Sequence, residues 1–300
     1  MDNKKIFKSG FAAIIGMPNV GKSTLLNAIA GQKIAIISDK PQTTRNKILA
    51  IYTTEEEQII FTDTPGIHKP HNKLGQYMVN AANDSMKDTD VIIFVVDATR
   101  KIQDMERTIA EQAAKCGVPC ILVINKVDLV KKEDLLPLIA DYSSICDFDD
   151  IVPLSAKQKD GIDILLSDIE SYLEEGPKFY YDDMITDQPE RQIVAEIIRE
   201  KMLWLLDKEV PHGIAIEIEK MEEKPKITSI NAVIYCEKPS HKGIVIGKNG
   251  EMLKKIGSMA RPDIEKMLDK KVYLELWVRV KSDWRNSNYL MKSFGFSDDE

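Results

Sequence analysis

Cysteine is scarce in this chain, with four residues in 300. Cys116, Cys120, Cys146 and Cys236 form no C-x-x-C pair and stand apart from the four histidines, His68, His71, His212 and His241. This excludes a disulfide-stapled scaffold and a zinc finger, and the thiols are expected to be reduced and mostly buried, as in a cytosolic protein. The histidines are expected in loops or at the surface. Long hydrophobic runs are lacking too. The longest, residues 91–96, falls far short of the roughly 18 apolar residues of a membrane span. Lys4, Lys5 and Lys8 precede a short apolar run, residues 11–15. A secretory signal needs about seven to fifteen apolar residues, so the N-terminus is expected to be retained uncleaved. Neither an internal repeat nor a low-complexity tract is present.

What the chain does have is ordinary globular composition, 43% hydrophobic and 30% charged, in a length that suits about two domains. The net charge of −7 by itself argues against nucleic acid. The average conceals an asymmetry, because residues 224–292 carry 15 Lys+Arg against 7 Asp+Glu, and the rest of the chain 26 against 41. One end is basic, as a nucleic-acid footprint would be.

Up to about residue 173, short β-branched runs at 11–15, 48–52, 58–62, 91–96, 120–124 and 151–153 alternate with longer mixed segments. Continuous apolar runs suit strands buried on both faces, with helices as crossovers, so the pattern predicts an α/β domain with a mostly parallel sheet. Only residues 53–57 separate the second and third runs, too few for a helical crossover, so that pair is expected to be antiparallel. Residues 174–188 hold Gly176, Pro177 and three aromatics without any period, and read as a linker. Beyond it, helical spacing through Ile193, Val194, Ile197 and Ile198, two strand-like runs, two helical segments meeting at Gly247 to Gly250, and a last strand alternating from Val272 to Lys281 predict the order α-β-β-α-α-β. The expected division is a nucleotide domain at 8–178, a linker at 179–190 and a second domain at 191–295.

Directly after the first strand, Gly16-Met-Pro-Asn-Val-Gly21-Lys22-Ser23 matches G-x-x-x-x-G-K-[ST] and leads into a helix. Glycines let the backbone N–H groups curl around phosphate, Lys22 reaches the β/γ-phosphates, and the Ser23 hydroxyl binds Mg²⁺. The phosphate-binding set is Gly16, Asn19, Val20, Gly21, Lys22, Ser23 and Thr24, with Asp63 and Gly66 of Asp63-Thr64-Pro65-Gly66. Asp63 can serve Mg²⁺, and Gly66 gives a backbone N–H access to the γ-phosphate. After the fifth strand comes Asn125-Lys126-Val127-Asp128. A carboxylate at Asp128 can accept hydrogen bonds from guanine N1 and its 2-amino group, whereas adenine offers no donor there, so GTP is favoured over ATP. Ser155-Ala156-Lys157 follows the last strand of the domain, placed to close over the base.

With these motifs in order over residues 10–160, the chain resembles the translation-factor-related class of P-loop GTPases. By that resemblance Asn125, Lys126 and Asp128 hold guanine, Ala156 offers its N–H to the base, and Thr43-Thr44 is the threonine pair of switch I, with Thr44 the Mg²⁺ ligand. Thr64, Pro65 and Ile67 belong to the second switch. Where Ras-like members carry a water-positioning Gln, this chain has Ile67, which cannot orient water, so hydrolysis is expected to be slow. Some members of that subgroup use a potassium ion near a P-loop Asn, and Asn19 stands in that place.

In the basic part, Ile246-Gly247-Lys248-Asn249-Gly250 holds a G-x-x-G between two helical segments. This resembles a type II KH domain, whose loop clamps the backbone of about four single-stranded nucleotides, with Lys248 at phosphate and Ile246 in the floor under the bases. Trp277, Arg279, Lys281, Trp284 and Arg285 interleave aromatic and basic residues, either as a single-strand surface or as an exposed strand followed by a packed tail. A GTPase domain joined to a KH domain in this length resembles the Era-type family of bacterial GTPases. The resemblance implies GTP/GDP and the 3′ end of 16S rRNA as ligands, a role in maturing the 30S subunit, a cytoplasmic location with peripheral contact at the inner membrane, and no DNA. A metabolic P-loop kinase would leave Asn125-Lys126-Val127-Asp128 unexplained. A relic nucleotide site would have lost Lys22, Ser23 or Asp63. GTPases of tRNA modification or large-subunit assembly share the first domain without explaining the G-x-x-G.

Overall fold

A computed structural model describes residues 6–296, so Lys4 and Lys5 of the N-terminal reading lie outside it. The chain forms two compact units. The first takes the chain up to Ala35, then Thr44–Lys69 and Met78–Asp187. The second takes residues from Gln188 onward together with two short earlier segments, Ile36–Thr43 and Pro70–Tyr77.

The first unit is built on strands β1 (Lys8–Ile15), β2 (Ile48–Thr53), β3 (Glu57–Asp63), β4 (Val91–Asp97), β5 (Cys120–Asn125) and β6 (Asp150–Leu154) in the order β2-β3-β1-β4-β5-β6. Neighbours run parallel except β2 and β3, which pair antiparallel as their short connection requires. Apolar residues on both faces of the central strands feed two cores. Val91, Ile93 and Val95 of β4 enter one, and Ile92, Phe94 and Val96 enter the other. Each of these six is fully buried, contributing about 1.5–3 kcal/mol. Helices α1 (Lys22–Ala30), α3 (Asp104–Ala114), α4 (Lys132–Ser143) and α5 (Ile162–Tyr172) belong to this unit, and α2 (Lys73–Ser85) follows the second switch. Residues 174–187 form no regular element but are held on the unit. Gln58 Oε1 accepts from the N–H groups of Phe179 (2.7 Å) and Tyr180 (2.9 Å), and Ile51 N–H donates to Ile185 O (2.8 Å).

The second unit follows the expected order: α6 (Glu190–Leu205), β7 (Ile214–Glu223), β8 (Ile227–Cys236), α7 (Pro239–Ile246), α8 (Glu251–Leu268) and β9 (Lys271–Val280), with a short α9 (Asn288–Ser293). Strand β8 is central, antiparallel to β7 and parallel to β9. Ile256, Ala260 and Ile264 of α8 recur every four residues and are buried with Ile230, Ala232 and Ile234 of β8. Part of the interleaved aromatic and basic series belongs to the interior. Trp284 is fully buried, with its indole N–H donating to Gly213 O at 3.0 Å, and Arg285 pairs with Glu237. Trp277 and Lys281 stay exposed. His241, expected at the surface, is buried on α7. Cys120 and Cys236 are buried free thiols, and Cys116 and Cys146 are partly buried.

Candidate nucleotide and RNA sites

The nucleotide motifs converge at the carboxyl ends of β1, β3, β4, β5 and β6, where a parallel sheet delivers its loops. The first loop turns through Asn19 at φ 67° and Gly21 at φ 104° into α1. Gly21 needs to be glycine twice over, because a Cβ there would lie 2.1 Å from Asn125 Nδ2. That nitrogen donates to Val20 O at 2.9 Å, bolting the phosphate loop to the guanine motif. Lys22 is buried and donates to Gly16 O (3.1 Å) and Met17 O (3.0 Å). Burial pulls its ammonium down to about 8, against the opposing pull of Asp63. A phosphate beside it would restore the charge. Thr24 lies in the first turn of α1, behind Ser23.

Three oxygens from three segments meet beside Lys22. Ser23 Oγ lies 2.7 Å from Asp63 Oδ2 and 2.8 Å from Thr44 Oγ1, and Thr44 Oγ1 donates to the same carboxylate oxygen at 3.3 Å. Asp63 is fully buried, and its Oδ1 has no hydrogen-bond partner. Burial raises its carboxyl pKa despite Lys22 and the two hydroxyls, which lower it. An all-oxygen set around a desolvated carboxylate with an unsatisfied oxygen fits Mg²⁺, a hard cation. Thr43 is not in this cluster, and its hydroxyl donates to Lys40 O at 2.6 Å. Thr64 is buried and donates to Ile14 O at 2.9 Å. A Cβ on Gly66 would lie 2.7–2.8 Å from Pro18 atoms. Pro65 is buried as well, and Ile67 is packed in the core.

On the base side, Asp128 is exposed and accepts from Ser155 Oγ at 2.6 Å, an orientation that leaves the carboxylate edge accessible. Asn125 is directed at protein. Its Oδ1 accepts from Lys126 N–H (2.8 Å) and from Ala156 N–H (3.0 Å). Asn125 therefore braces the loops, and the Ala156 N–H expected at the base is engaged by Asn125. Lys126, at φ 67°, donates to Asn19 O at 2.8 Å and to Asp97 Oδ2 at 2.6 Å. Lys157 is exposed beyond Ala156. Asp97 was not among the sequence candidates. It ends β4 opposite Asn125, is buried, and its pKa is held low by the Lys126 and Thr99 bonds against burial. Its signal was a carboxylate closing an otherwise wholly apolar strand.

In the second unit, α7 stops at Gly247 (φ 73°), where a Cβ would lie 2.7 Å from Met252 Cβ. Asn249 and Gly250 are left-handed, and Lys248 and Asn249 point outward. Ile246 packs against the core. A groove of about 590 Å³ runs on from Gly250, with Leu253, Lys254, Gly257 and Arg261 of α8 on one side and Tyr273, Leu274 and Leu276 of β9 among the residues opposite. Its apolar floor and cationic rim suit an unpaired strand whose bases lie inward and phosphates outward. The α8 positions had been overlooked, although their three- and four-residue spacing from Gly250 marks one helix face.

A phosphate loop braced to an Asn-Lys-x-Asp loop on one unit and a G-x-x-G groove on the other are the parts of a P-loop GTPase carrying a KH domain. Residues 11–126 match the family described as "50S ribosome-binding GTPase", and residues 209–285 match the family described as "KH domain". The chain is 54% identical over 291 residues to GTPase Era of Ruminiclostridium cellulolyticum, covering 97% of this chain and 98% of the relative. It is also 54% identical over 296 residues to GTPase Era of Clostridioides difficile, covering 98% and 100%. Two solved structures superpose with TM-score 0.94 at 41% identity: a variant of Aquifex aeolicus Era bound to GDP and tetrafluoroaluminate, and Era with MgGDPNP and nucleotides 1506–1542 of 16S ribosomal RNA. Each covers 97% of this chain, and 100% and 99% of the respective solved chain is covered in turn. The chain belongs to the Era family of GTPases.

Proposed function

We propose that this chain is a GTP-binding and GTP-hydrolysing switch that binds 16S rRNA near its 3′ end through its KH domain and acts in biogenesis of the 30S subunit. The observation that carries the reading is the pairing, in one chain, of the Ser23–Thr44–Asp63 cluster with a cation-rimmed groove beginning at Gly247–Gly250. The solved Era complex with MgGDPNP and 16S rRNA nucleotides supports both halves. Residues 8–178 serve the nucleotide, 191–295 serve RNA, and 179–190 join them. Ser23, Thr44 and Asp63 would hold Mg²⁺, which when bound supplies charge stabilisation on the phosphates. Lys22 and the N–H groups of the phosphate loop bind the same phosphates, and Asp128 selects guanine. Ile67 is buried and carries no polar atom to orient water, so unaided turnover is slow.

A potassium ion beside Asn19 belongs to the same reading and rests on the place of Asn19 in the phosphate loop. Cytoplasmic location with peripheral contact at the inner membrane rests on family membership alone, and fractionation tests it. Among the described residues no helix is long and apolar enough to cross a membrane. The decisive experiment titrates a 3′-terminal 16S rRNA oligonucleotide with the protein bound to a GTP analogue or to GDP. A switch predicts affinities differing by roughly 5- to 150-fold, with RNA shifting nucleotide affinity by the same factor. Equal affinity would reduce the protein to two independent binding modules, and no affinity in either state would end the RNA reading.

A further inference from the structure

The C-terminal half of α6 carries three successive charged residues, Arg199, Glu200 and Lys201, each at most 3% exposed. Successive helical residues point about 100° apart, so one apolar core cannot bury all three. Ionised groups removed from water need close partners. Lys201 finds two, Glu200 at 2.7 Å and Asp263 of α8, and lies over the Trp204 ring. The other partners come from the segment Ile36–Thr43, which belongs to the same unit. Ile37 N–H donates to Glu200 Oε1 at 3.0 Å, and Trp204 Nε1 donates to Ile37 O at 3.0 Å. Lys40 reaches Leu206 O and Asp207.

Arg199 acts at the end of this segment. Its guanidinium is fixed by Glu196, with Nε donating to Oε1 at 2.8 Å, and its other nitrogens donate to the carbonyls of Gln42 (3.4 Å) and Thr43. The Thr43 carbonyl and the Thr44 N–H share one planar peptide. Holding that carbonyl therefore restricts where the next residue can place its hydroxyl, and that hydroxyl is the one gathered with Ser23 and Asp63.

We propose that Arg199 is a positioning residue for GTP hydrolysis, fixing the Thr43–Thr44 peptide so that the Thr44 hydroxyl stays in the cation-binding cluster. The proposal rests on the reading of Thr44 as a Mg²⁺ ligand. Lys at this place could still donate to a carbonyl, but it lacks the fork that engages Glu196 and two carbonyls together.

The test compares full-length wild type with Arg199→Ala, Arg199→Lys, Glu196→Gln, Thr44→Ala and the Arg199→Ala/Thr44→Ala double variant. Hydrolysis is followed across Mg²⁺ concentrations, alongside affinity for a fluorescent GDP analogue and thermal unfolding. Arg199→Ala is expected to lower kcat on the order of ten- to a hundred-fold, the scale of a 1 Å misplacement. It should raise the Mg²⁺ concentration for half-maximal rate and leave GDP affinity unchanged, while the unfolding temperature falls because Glu196 and the two carbonyls lose a buried partner. Arg199→Lys should recover part of the rate, and Glu196→Gln should lose part of it with the fold intact. The double variant should be no slower than Thr44→Ala. Thr44→Ala with an unaltered Mg²⁺ dependence would overturn the ligand reading itself. A Thr44→Ala effect without any Arg199→Ala effect would overturn the positioning role alone, and so would multiplicative losses in the double variant. If Arg199→Ala misfolds, Glu196→Gln decides: a wild-type rate and Mg²⁺ dependence there refute the proposal.

Discussion

Replacing Glu57 by Gln should stabilise the first unit at alkaline pH and do nothing at acid pH. Glu57 opens β3 opposite Lys8 of β1, is 8% exposed, and its Oε2 has no hydrogen-bond partner. Burial first, and then the charge of Glu170, push its carboxyl from the ordinary 4.5 up to about 7, with Lys8 pulling the other way. Between those values the folded chain keeps a proton that the unfolded chain has released. The stability Glu57 contributes is therefore fully present below about 4.5 and lost as pH rises through about 7. At 1.36 kcal/mol per pH unit, the gap amounts to about 3 kcal/mol, an upper figure for what the neutral amide restores at pH 8. Urea unfolding followed by far-UV circular dichroism at pH 5 and pH 8 measures the difference. Trp204, Trp277 and Trp284, the chain's three tryptophans, lie in the second unit and supply an internal control, since their fluorescence transition should be the same in both proteins. A variant no more stable than wild type at pH 8, or equally stabilised at both pH values, refutes the reasoning.

Asp128→Asn should exchange guanine for xanthine preference, because an amide can donate to the 2-oxo group; unchanged relative affinity for GTP and XTP would remove Asp128 from base recognition. Potassium should accelerate hydrolysis over sodium in wild type and lose that advantage in Asn19→Ala, and equal wild-type rates in the two salts would dismiss the cation. Lys248→Ala should weaken RNA binding and lower the log–log salt slope by about 0.7, one single-strand phosphate contact, so an unchanged slope would move Lys248 off the backbone. Gly257→Ala should have opposite effects on two measurements. The added Cβ meets Leu276 at an ordinary 3.4 Å and gains up to about 1 kcal/mol of helix stability, yet it narrows the groove, so undiminished RNA affinity would place the bases elsewhere.

The linear arrangement determined a good deal of this. The continuous apolar runs of β1, β4 and β5, without polar alternation, suit a sheet covered on both faces, and the short gap between β2 and β3 allowed only an antiparallel pair. Gly16 to Ser23 and Asn125 to Asp128 were legible because their chemistry depends on local spacing at strand ends. Thr44 was chosen over Thr43 by resemblance, and only the fold brought its hydroxyl to Ser23 and Asp63. Asp97 was hidden because its partner Lys126 comes from the neighbouring strand's loop. His241 looks like a surface residue in the chain and Trp284 could be either surface or packed tail, and tertiary packing buries both. The run Arg199, Glu200, Lys201 reads as a solvated helix turn, and it is buried because residues 36–43 cover it. Local periodicity reports which face of an element is apolar. Which distant segment will cover a polar face depends on hydrogen bonds between residues some 160 positions apart, and those are set only once the chain has folded.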